Sequence, residues 1–233
     1  DYGYALLVDA GVKSLERMAD NTEAFKVEVN EYFDLTKGLG REVIYQIETK
    51  FYGYEAERQR YKIATDGLNY LQQQYLDFYA SYYSSIEAIG KIEYEDNAST
   101  GVLIQKERYR IKNFWARDEK QREFQGDFYA NAIIPRIAMP DQLNRNAPYA
   151  LDHPAEVQEH IHVQFSKHDW AFDDEKLVLD NRYFYLDNQV HYDNANKRLH
   201  LNYHYKAVAK SVEPQEMKAY LNERKQARKV GYY

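Results

Sequence analysis

The hydrophobic period of this sequence changes at Gly53, and that change constrains the fold more than any other feature. Before it, apolar residues alternate with polar ones over 25–51, which places every second side chain on one face of a β-strand. After it, the spacing becomes three and four, which forms one apolar stripe of an α-helix. The stripe consists of Leu68, Leu71, Tyr75, Tyr79 and Tyr82. The pattern predicts a two-helix insert, at about 55–83, inside a strand protein.

Two glycines predict a hairpin in the region before the insert. Residues 36–40 read Thr-Lys-Gly-Leu-Gly and separate two alternating segments, and glycine accepts the positive φ that tight turns require. Gly38 and Gly40 do not form a dinucleotide-binding loop, because the third glycine is missing and strands flank the pair on both sides. Glu31 interrupts the apolar face of the first of these strands. Further towards the start of the chain, the apolar run 4–8 predicts a brief strand.

The insert should form two helices, one over about 55–64 and a longer one whose start Asp66 is placed to cap. Their apolar stripe has to lie on a sheet face, so the helices should cover one face of the first sheet. Strand patterns return at 86–94 and 102–111 and close a first unit.

A polar stretch near residue 118 marks the predicted boundary between two β units, 1–118 and 119–233. The second unit opens with 124–137, which has the pattern of one long strand. Four of the five prolines lie within 135–154, and each removes a backbone donor, so an ordered, extended connection is expected there. These prolines are Pro135, Pro140, Pro148 and Pro154.

The clearest predicted hairpin joins 183–192 to 198–208 through the turn Asp193-Asn-Ala-Asn, after a strand at 157–165. One register places the whole apolar set on a single face. That register pairs Val190 with Leu199, Leu186 with Tyr203 and Phe184 with Tyr205.

The chain should end in a helix started by Ser211 and Pro214. Together these patterns predict a mainly β fold with some α (α+β), built from antiparallel sheets or β-sandwich-like units with a two-helix insert and a C-terminal helix.

Composition excludes several classes of function. The 233 residues contain no cysteine, which removes thiol nucleophiles, thiolate metal sites and disulfides. The formal net charge of −6 argues against binding a nucleic-acid backbone. The sequence contains no apolar run of the roughly 18 to 20 residues that a membrane-spanning helix needs, so membrane insertion is not expected.

Three sets of residues could carry chemistry, and each has a simpler interpretation. His160 and His162 share one strand face, as do His200 and His204; the two pairs could bind zinc or copper if their strands were neighbours, or they could decorate a solvated face. Asp173-Asp-Glu lacks the spacing of a calcium loop, which favours a solvated turn. Glu93 and Glu95 share a face, but only their three-dimensional separation would identify a hydrolytic pair.

No catalytic, cofactor-binding or metal-binding residue is therefore assigned from the sequence, and no cofactor is expected. The 24 tyrosines are the most unusual feature of the composition. Tyrosine rows can form a platform for a peptide or glycan, although most tyrosines fill cores and half-buried positions.

Several motifs follow one another as they do in a bacterial family. They are Tyr2-Gly-Tyr-Ala-Leu, Phe51-Tyr-Gly-Tyr-Glu-Ala-Glu with Arg60, Tyr75-Leu-x-Phe-Tyr-Ala, Arg110-Ile-Lys-Asn-Phe-Trp and Arg145-Asn-Ala-Pro-Tyr-x-Leu-x-His-Pro. In this order the chain resembles the C-terminal β region of multidomain transglutaminase-like proteins that carry an N-terminal domain of unknown function and a papain-like core.

This resemblance implies a noncatalytic accessory module that packs on, or gates, an upstream papain-like domain of the same polypeptide. The chain begins at Asp1 without methionine, and we interpret it as a segment of a longer protein. The family's Cys, His and Asp would precede Asp1, and none of them is carried onto a position here. The resemblance also implies a periplasmic or cell-surface parent.

Two other functions stay open at the level of sequence. The first is a peptide- or cell-wall-glycan-binding β module that uses exposed tyrosines within 183–192. The second, which we rank last, is an independent hydrolase that uses two facing carboxyl groups.

Overall fold

The computed structural model describes residues 4–9, 11–18, 26–118, 123–140, 146–167 and 170–231. The strands of the first half are β1 (Tyr4–Ala5), β2 (Glu16–Arg17), β3 (Lys26–Leu35), β4 (Val43–Phe51), β5 (Ile86–Ala88), β6 (Glu93–Asn97) and β7 (Val102–Ile111). Those of the second half are β8 (Ala116–Asp118), β9 (Glu123–Gln125), β10 (Tyr149–Ala150), β11 (Glu156–Phe165), β12 (Glu175–Asp180), β13 (Phe184–Asp193), β14 (Arg198–Ala207) and β15 (Ser211–Val212). The helices are α1 (Gly53–Asp66), α2 (Leu68–Ala80), α3 (Ile134–Ile137) and α4 (Met217–Ala227), with 3-10 turns at Pro214–Glu216 and Arg228–Val230.

One nine-stranded sheet organises the molecule. Its strand order is β12-β13-β14-β11-β3-β4-β7-β5, and β6 pairs with the other end of β7. All neighbours are antiparallel except β3 and β11, which run parallel over ten residue pairs at the centre of the sheet. The strands on both sides of residue 118 thus belong to one sheet, a point that the sequence left open. The predicted α+β class is confirmed, and its β part consists of this large sheet and three two-stranded ones, β1-β2, β8-β9 and β10-β15.

The two faces of the sheet differ as the alternating sequence predicts. On the central strand β11, Val157, Glu159, Ile161 and Val163 are buried, whereas the residues that alternate with them are half-buried. The buried face packs on α1, α2, α3 and α4, and one hydrophobic cluster extends across both halves of the chain. The opposite face stays open and carries mostly polar side chains, which suits a sheet that is covered on one side only.

The helical insert covers the first half of the buried face, as expected. Leu71 and Tyr79 of α2 are buried, and the Tyr79 ring packs edge-on against Tyr45 of β4 with 5.5 Å between ring centroids. The prediction that Asp66 caps α2 is wrong. Asp66 is the last residue of α1, and Gly67 lies between the helices with a φ of 78°, which a residue with a side chain adopts only at a cost in free energy.

The β13–β14 hairpin forms, but its predicted register is wrong by two residues. Val190 pairs with Leu201, Leu186 with Tyr205 and Phe184 with Ala207. The loop consists of 194–197, and Lys197 adopts a positive φ of 54°. A shift of two residues keeps every side chain on its predicted face, so the apolar pattern fits both registers.

Three other predicted elements differ from the structure. Residues 124–137 are not one strand, because β9 ends at Gln125 and α3 begins at Ile134. The segment 86–94 splits into β5 and the start of β6. Ser211 belongs to the short strand β15 and does not start the C-terminal helix, which a 3-10 turn at Pro214 precedes. Within the described residues, no helix combines the length and apolar character needed to cross a bilayer.

Candidate functional site

The two histidine pairs lie on neighbouring strands of the open face. His162 of β11 pairs in register with His200 of β14, and their Nδ1 atoms are 2.8 Å apart. His160 Nδ1 contacts Asn202 Oδ1 at 2.7 Å, and His204 Nε2 contacts Glu156 Oε1 at 2.9 Å. A metal site would require the strands of the two histidine pairs to be neighbours, and β11 and β14 are neighbours. The histidines, however, bond to one another and to other side chains.

Partial burial favours the neutral form of both central histidines. Burial lowers the pKa of His162 to about 4, and the neighbouring His200 contributes to the decrease. Burial also lowers the pKa of His200. A neutral pair fits the short contact, because one ring can then donate its N–H to the other. Among the described residues, no three His, Asp or Glu side chains converge in a way that would hold a metal ion.

Two fully buried carboxyl groups face each other on the covered side of the sheet. Glu31 of β3 and Glu159 of β11 have 1% and 0% of their surface exposed, and they are close enough to interact electrostatically. Tyr45 Oη donates to Glu31 at 2.8 Å, and the backbone N–H groups of Ala132 and Ile133 donate to Glu159 at 2.9 and 3.1 Å.

Burial favours the uncharged form of both carboxyl groups. Burial, and then the charge of Glu159, raises the pKa of Glu31 well above its ordinary value. Glu31 Oε1 is buried without a hydrogen-bond partner, which fits an uncharged carboxyl group. Facing carboxyl groups also occur in catalytic dyads. Here, however, both groups lie beneath the sheet, where a substrate has no access, so the pair is structural.

A third buried carboxyl group belongs to a polar network between β7 and α1. Gln105 Nε2 donates to Glu107 at 2.6 Å, and the Tyr109 hydroxyl donates to the other carboxyl oxygen. Gln59 of α1 in turn donates to Gln105 Oε1 at 2.9 Å and to the Tyr75 hydroxyl at 2.9 Å. Burial raises the pKa of Glu107 to about 7. The network joins helix to sheet, and Gln59, Gln105 and Glu107 are all buried within it.

The carboxylates singled out from the sequence lie at the surface and apart from these groups. Glu93 and Glu95 are exposed on the short edge strand β6, where Glu95 pairs with Lys106. Asp174 accepts hydrogen bonds from His191 Nδ1 at 3.0 Å and from the backbone N–H of Tyr192 at 3.2 Å. It therefore fixes the start of β12 to β13.

Most tyrosines of 183–192 are unsuited to a binding platform. Tyr183 is buried against Tyr220 of α4, and Tyr192 packs edge-on against Phe172. Only Tyr185 of this segment lies on the open face, beside His204. Tyrosines are exposed on the helical insert instead, where Tyr61 and Tyr70 have 70% and 57% of their surface exposed.

In the segment 4–18, the described residues, which are 4–9 and 11–18, expose many large apolar side chains. Its two strands pair with each other, Tyr4 with Arg17 and Ala5 with Glu16. Val8 is fully exposed. Six large apolar side chains of the segment lie open to solvent: Tyr4, Leu6, Leu7, Val8, Leu15 and Met18. We call this segment the apolar hairpin. The sequence predicted a strand here but not its exposure.

Comparison with known proteins adds no relative: no protein-family model, no curated protein and no solved structure matches this chain. The class that the observations define is therefore limited to an α+β protein with one large sheet, an open polar face and an exposed apolar hairpin.

Proposed function

We propose that this chain is a noncatalytic accessory module that packs against another folded domain through the apolar hairpin. The observation that carries the proposal is the exposure of six large apolar side chains within 4–18. Monomeric proteins rarely expose large apolar patches, and such patches mark contact surfaces. A partner that covers Leu6, Leu7 and Val8 would remove this surface from water.

The buried chemistry of the chain supports a noncatalytic role. Without cysteine, the chain has no thiol nucleophile. The carboxyl groups with raised pKa values, Glu31, Glu107 and Glu159, are buried beneath the sheet and bond to groups of the fold. These groups stabilise or specify the structure and do not face a substrate.

The partner that we propose is an upstream papain-like domain of the same polypeptide, in a periplasmic or cell-surface protein. The order of motifs shared with transglutaminase-like proteins motivates this choice. Several of these motif residues are core residues here, including Ala56, Tyr79, Ile111 and Phe114. In this proposal the motifs maintain the fold of the module, and packing on a catalytic core gives a role to a module that has no catalytic site of its own.

The first test is to translate the natural reading frame before Asp1 and to produce the encoded segment separately. A Cys, His and Asp set in that segment is expected, together with measurable binding to this chain by titration calorimetry. An upstream segment without such a set would overturn the papain-like partner. A complete set with no association would overturn the accessory role.

A matched pair of variants tests the contact surface. Changing Leu6, Leu7 and Val8 together to Ser should weaken the association at least tenfold and leave the thermal midpoint of the isolated chain unchanged, because these side chains are already exposed. The control replaces Val178 and Val208, which are also exposed but lie elsewhere, and should bind like the wild type. Equal binding by both variants would contradict the proposal.

A peptide- or glycan-binding function is the second candidate, and the exposed rings on the helical insert favour it. Tyr61 and Tyr70 offer amphipathic rings of the kind that stack on sugars and pack on peptides. Affinity electrophoresis in cell-wall glycan should retard the wild type more than the double variant Tyr61→Ala, Tyr70→Ala. Equal mobility with and without glycan would eliminate this function.

A further inference from the structure

An open pocket lies where the β3–β4 loop meets the end of β7. Its volume is about 620 Å³, within the range of roughly 300 to 1,000 Å³ typical of small-molecule sites. The lining residues are Lys37, Gly40, Arg41, Glu42 and Lys112. Three of these five residues are cations, in a chain whose net charge is −6.

The carboxylates near this pocket do not neutralise it. Glu42 lies 2.6 Å from Lys37 Nζ and 3.4 Å from Arg110 Nε, and the hydrogen bond from Lys37 contributes most to lowering the pKa of Glu42. Glu87 pairs with Lys112. The group thus contains two carboxylates and four cations, which are Lys37, Arg41, Arg110 and Lys112. Its net charge is therefore two positive charges.

Arg41 supplies much of this excess. Among the residues that the structure describes, no carboxylate forms an ion pair with its guanidinium group, whereas Lys37, Arg110 and Lys112 all have such partners. A guanidinium group offers five N–H donors in a planar fork that matches the oxygens of a phosphate or carboxylate.

The loop that carries Arg41 is held in place without a ligand. Thr36 donates from its backbone N–H and its hydroxyl to Asp34 Oδ1, at 3.0 and 2.6 Å. Gly40 has a φ of 67° and packs against the ring of Phe124, so that an added Cβ would lie 3.2 Å from it. A loop fixed in this way loses little conformational freedom when it binds a ligand.

We propose that this pocket binds a small polyanion that carries two or more phosphate or carboxylate groups. Two anionic groups match the two uncompensated charges: one is on Arg41, the bidentate donor, and the other is left on Lys37 and Arg110, which share Glu42 as their carboxylate partner. The site is open, so salt should weaken binding. This inference does not depend on the accessory role, because the residues of the pocket are separate from the apolar hairpin.

Titration calorimetry with pyrophosphate and with citrate, at 20 mM and at 150 mM salt, tests the proposal and separates the two ligand chemistries. Saturable binding of either probe, at least fivefold weaker at the higher salt concentration, is expected. Amide shifts in an NMR titration should concentrate at 36–42 and 110–112. No saturable binding of either probe at low salt would overturn the proposal.

Charge-matched variants locate the site. Arg41→Ala should weaken binding at least tenfold, and Arg41→Lys should recover part of the loss because the charge returns without the planar fork. Lys218→Ala removes one exposed positive charge on α4 and should bind like the wild type. If Lys218→Ala and Arg41→Ala weaken binding equally, the attraction is a general property of the surface and the pocket is refuted.

Discussion

Replacing Glu107 with Gln should stabilise the protein at alkaline pH but not at acid pH. Burial raises the pKa of Glu107 from 4.5 to about 7, although hydrogen bonds from Tyr109 and Gln105 oppose the increase. The folded protein therefore holds the carboxyl proton more tightly than the unfolded chain does. As the pH rises from about 4.5 to about 7, the unfolded chain ionises first, and the free energy of unfolding decreases.

The magnitude follows from this difference in pKa. Each pKa unit corresponds to about 1.4 kcal/mol, so an increase from 4.5 to about 7 costs the folded state about 3 kcal/mol above neutral pH. Gln has nearly the same shape and cannot ionise. Its oxygen can accept from Gln105 and its amide can donate to the Tyr109 hydroxyl, so the network should stay closed.

Urea unfolding of Glu107→Gln and the wild type, monitored by tryptophan fluorescence between pH 4.5 and 8.5, measures this effect. The two proteins should agree within about 1 kcal/mol at pH 4.5, and the variant should be more stable by about 3 kcal/mol at pH 8.5. Glu93→Gln, on the exposed strand β6, serves as the control and should follow the wild type throughout. A difference between Glu107→Gln and the wild type that stays constant with pH would refute the reasoning.

Three further results are expected. Gly126→Ala should lower the free energy of unfolding by about 1–3 kcal/mol, because the new Cβ would lie 2.3 Å from the buried Phe114 ring; unchanged urea stability would contradict this packing. Tyr45→Phe removes the 2.8 Å hydrogen bond to Glu31 and should cost about 1–3 kcal/mol in the same assay, whereas no loss would show that the bond contributes nothing. An NMR titration should find a midpoint near pH 4 for His162, and a midpoint above 6 would argue against a neutral pair.

Features that depend on a local period were predictable from the sequence. The β3–β4 hairpin, with Gly38 and Gly40 at positive φ, and the two helices after Gly53 follow from alternation, from spacings of three and four, and from turn chemistry. The short strand β12 was not predicted, because an edge strand with only partly buried side chains leaves a weak alternating pattern.

Features that depend on distant pairing were not predictable. Glu31 stood out as an interruption of an apolar face, but its partner Glu159 is set by the parallel alignment of β3 with β11, which periodicity does not encode. The pocket lined by Lys37, Arg41 and Lys112 was not predictable for the same reason. Its cations come from the β3–β4 loop and from the end of β7, and only the folded sheet brings Arg41 and Lys112 to one place.

The parallel pairing at the centre of the sheet also governs the order in which the protein can assemble. Each residue of β3 pairs with a residue of β11 that lies 130 positions further along the chain, from Lys26 with Glu156 to Leu35 with Phe165. During synthesis, the first half therefore emerges with one side of a ten-residue strand unpaired, a template for wrong pairing with another chain. Contacts this distant in sequence slow folding, so a nascent chain would depend on its second half, or on a chaperone, to protect that strand.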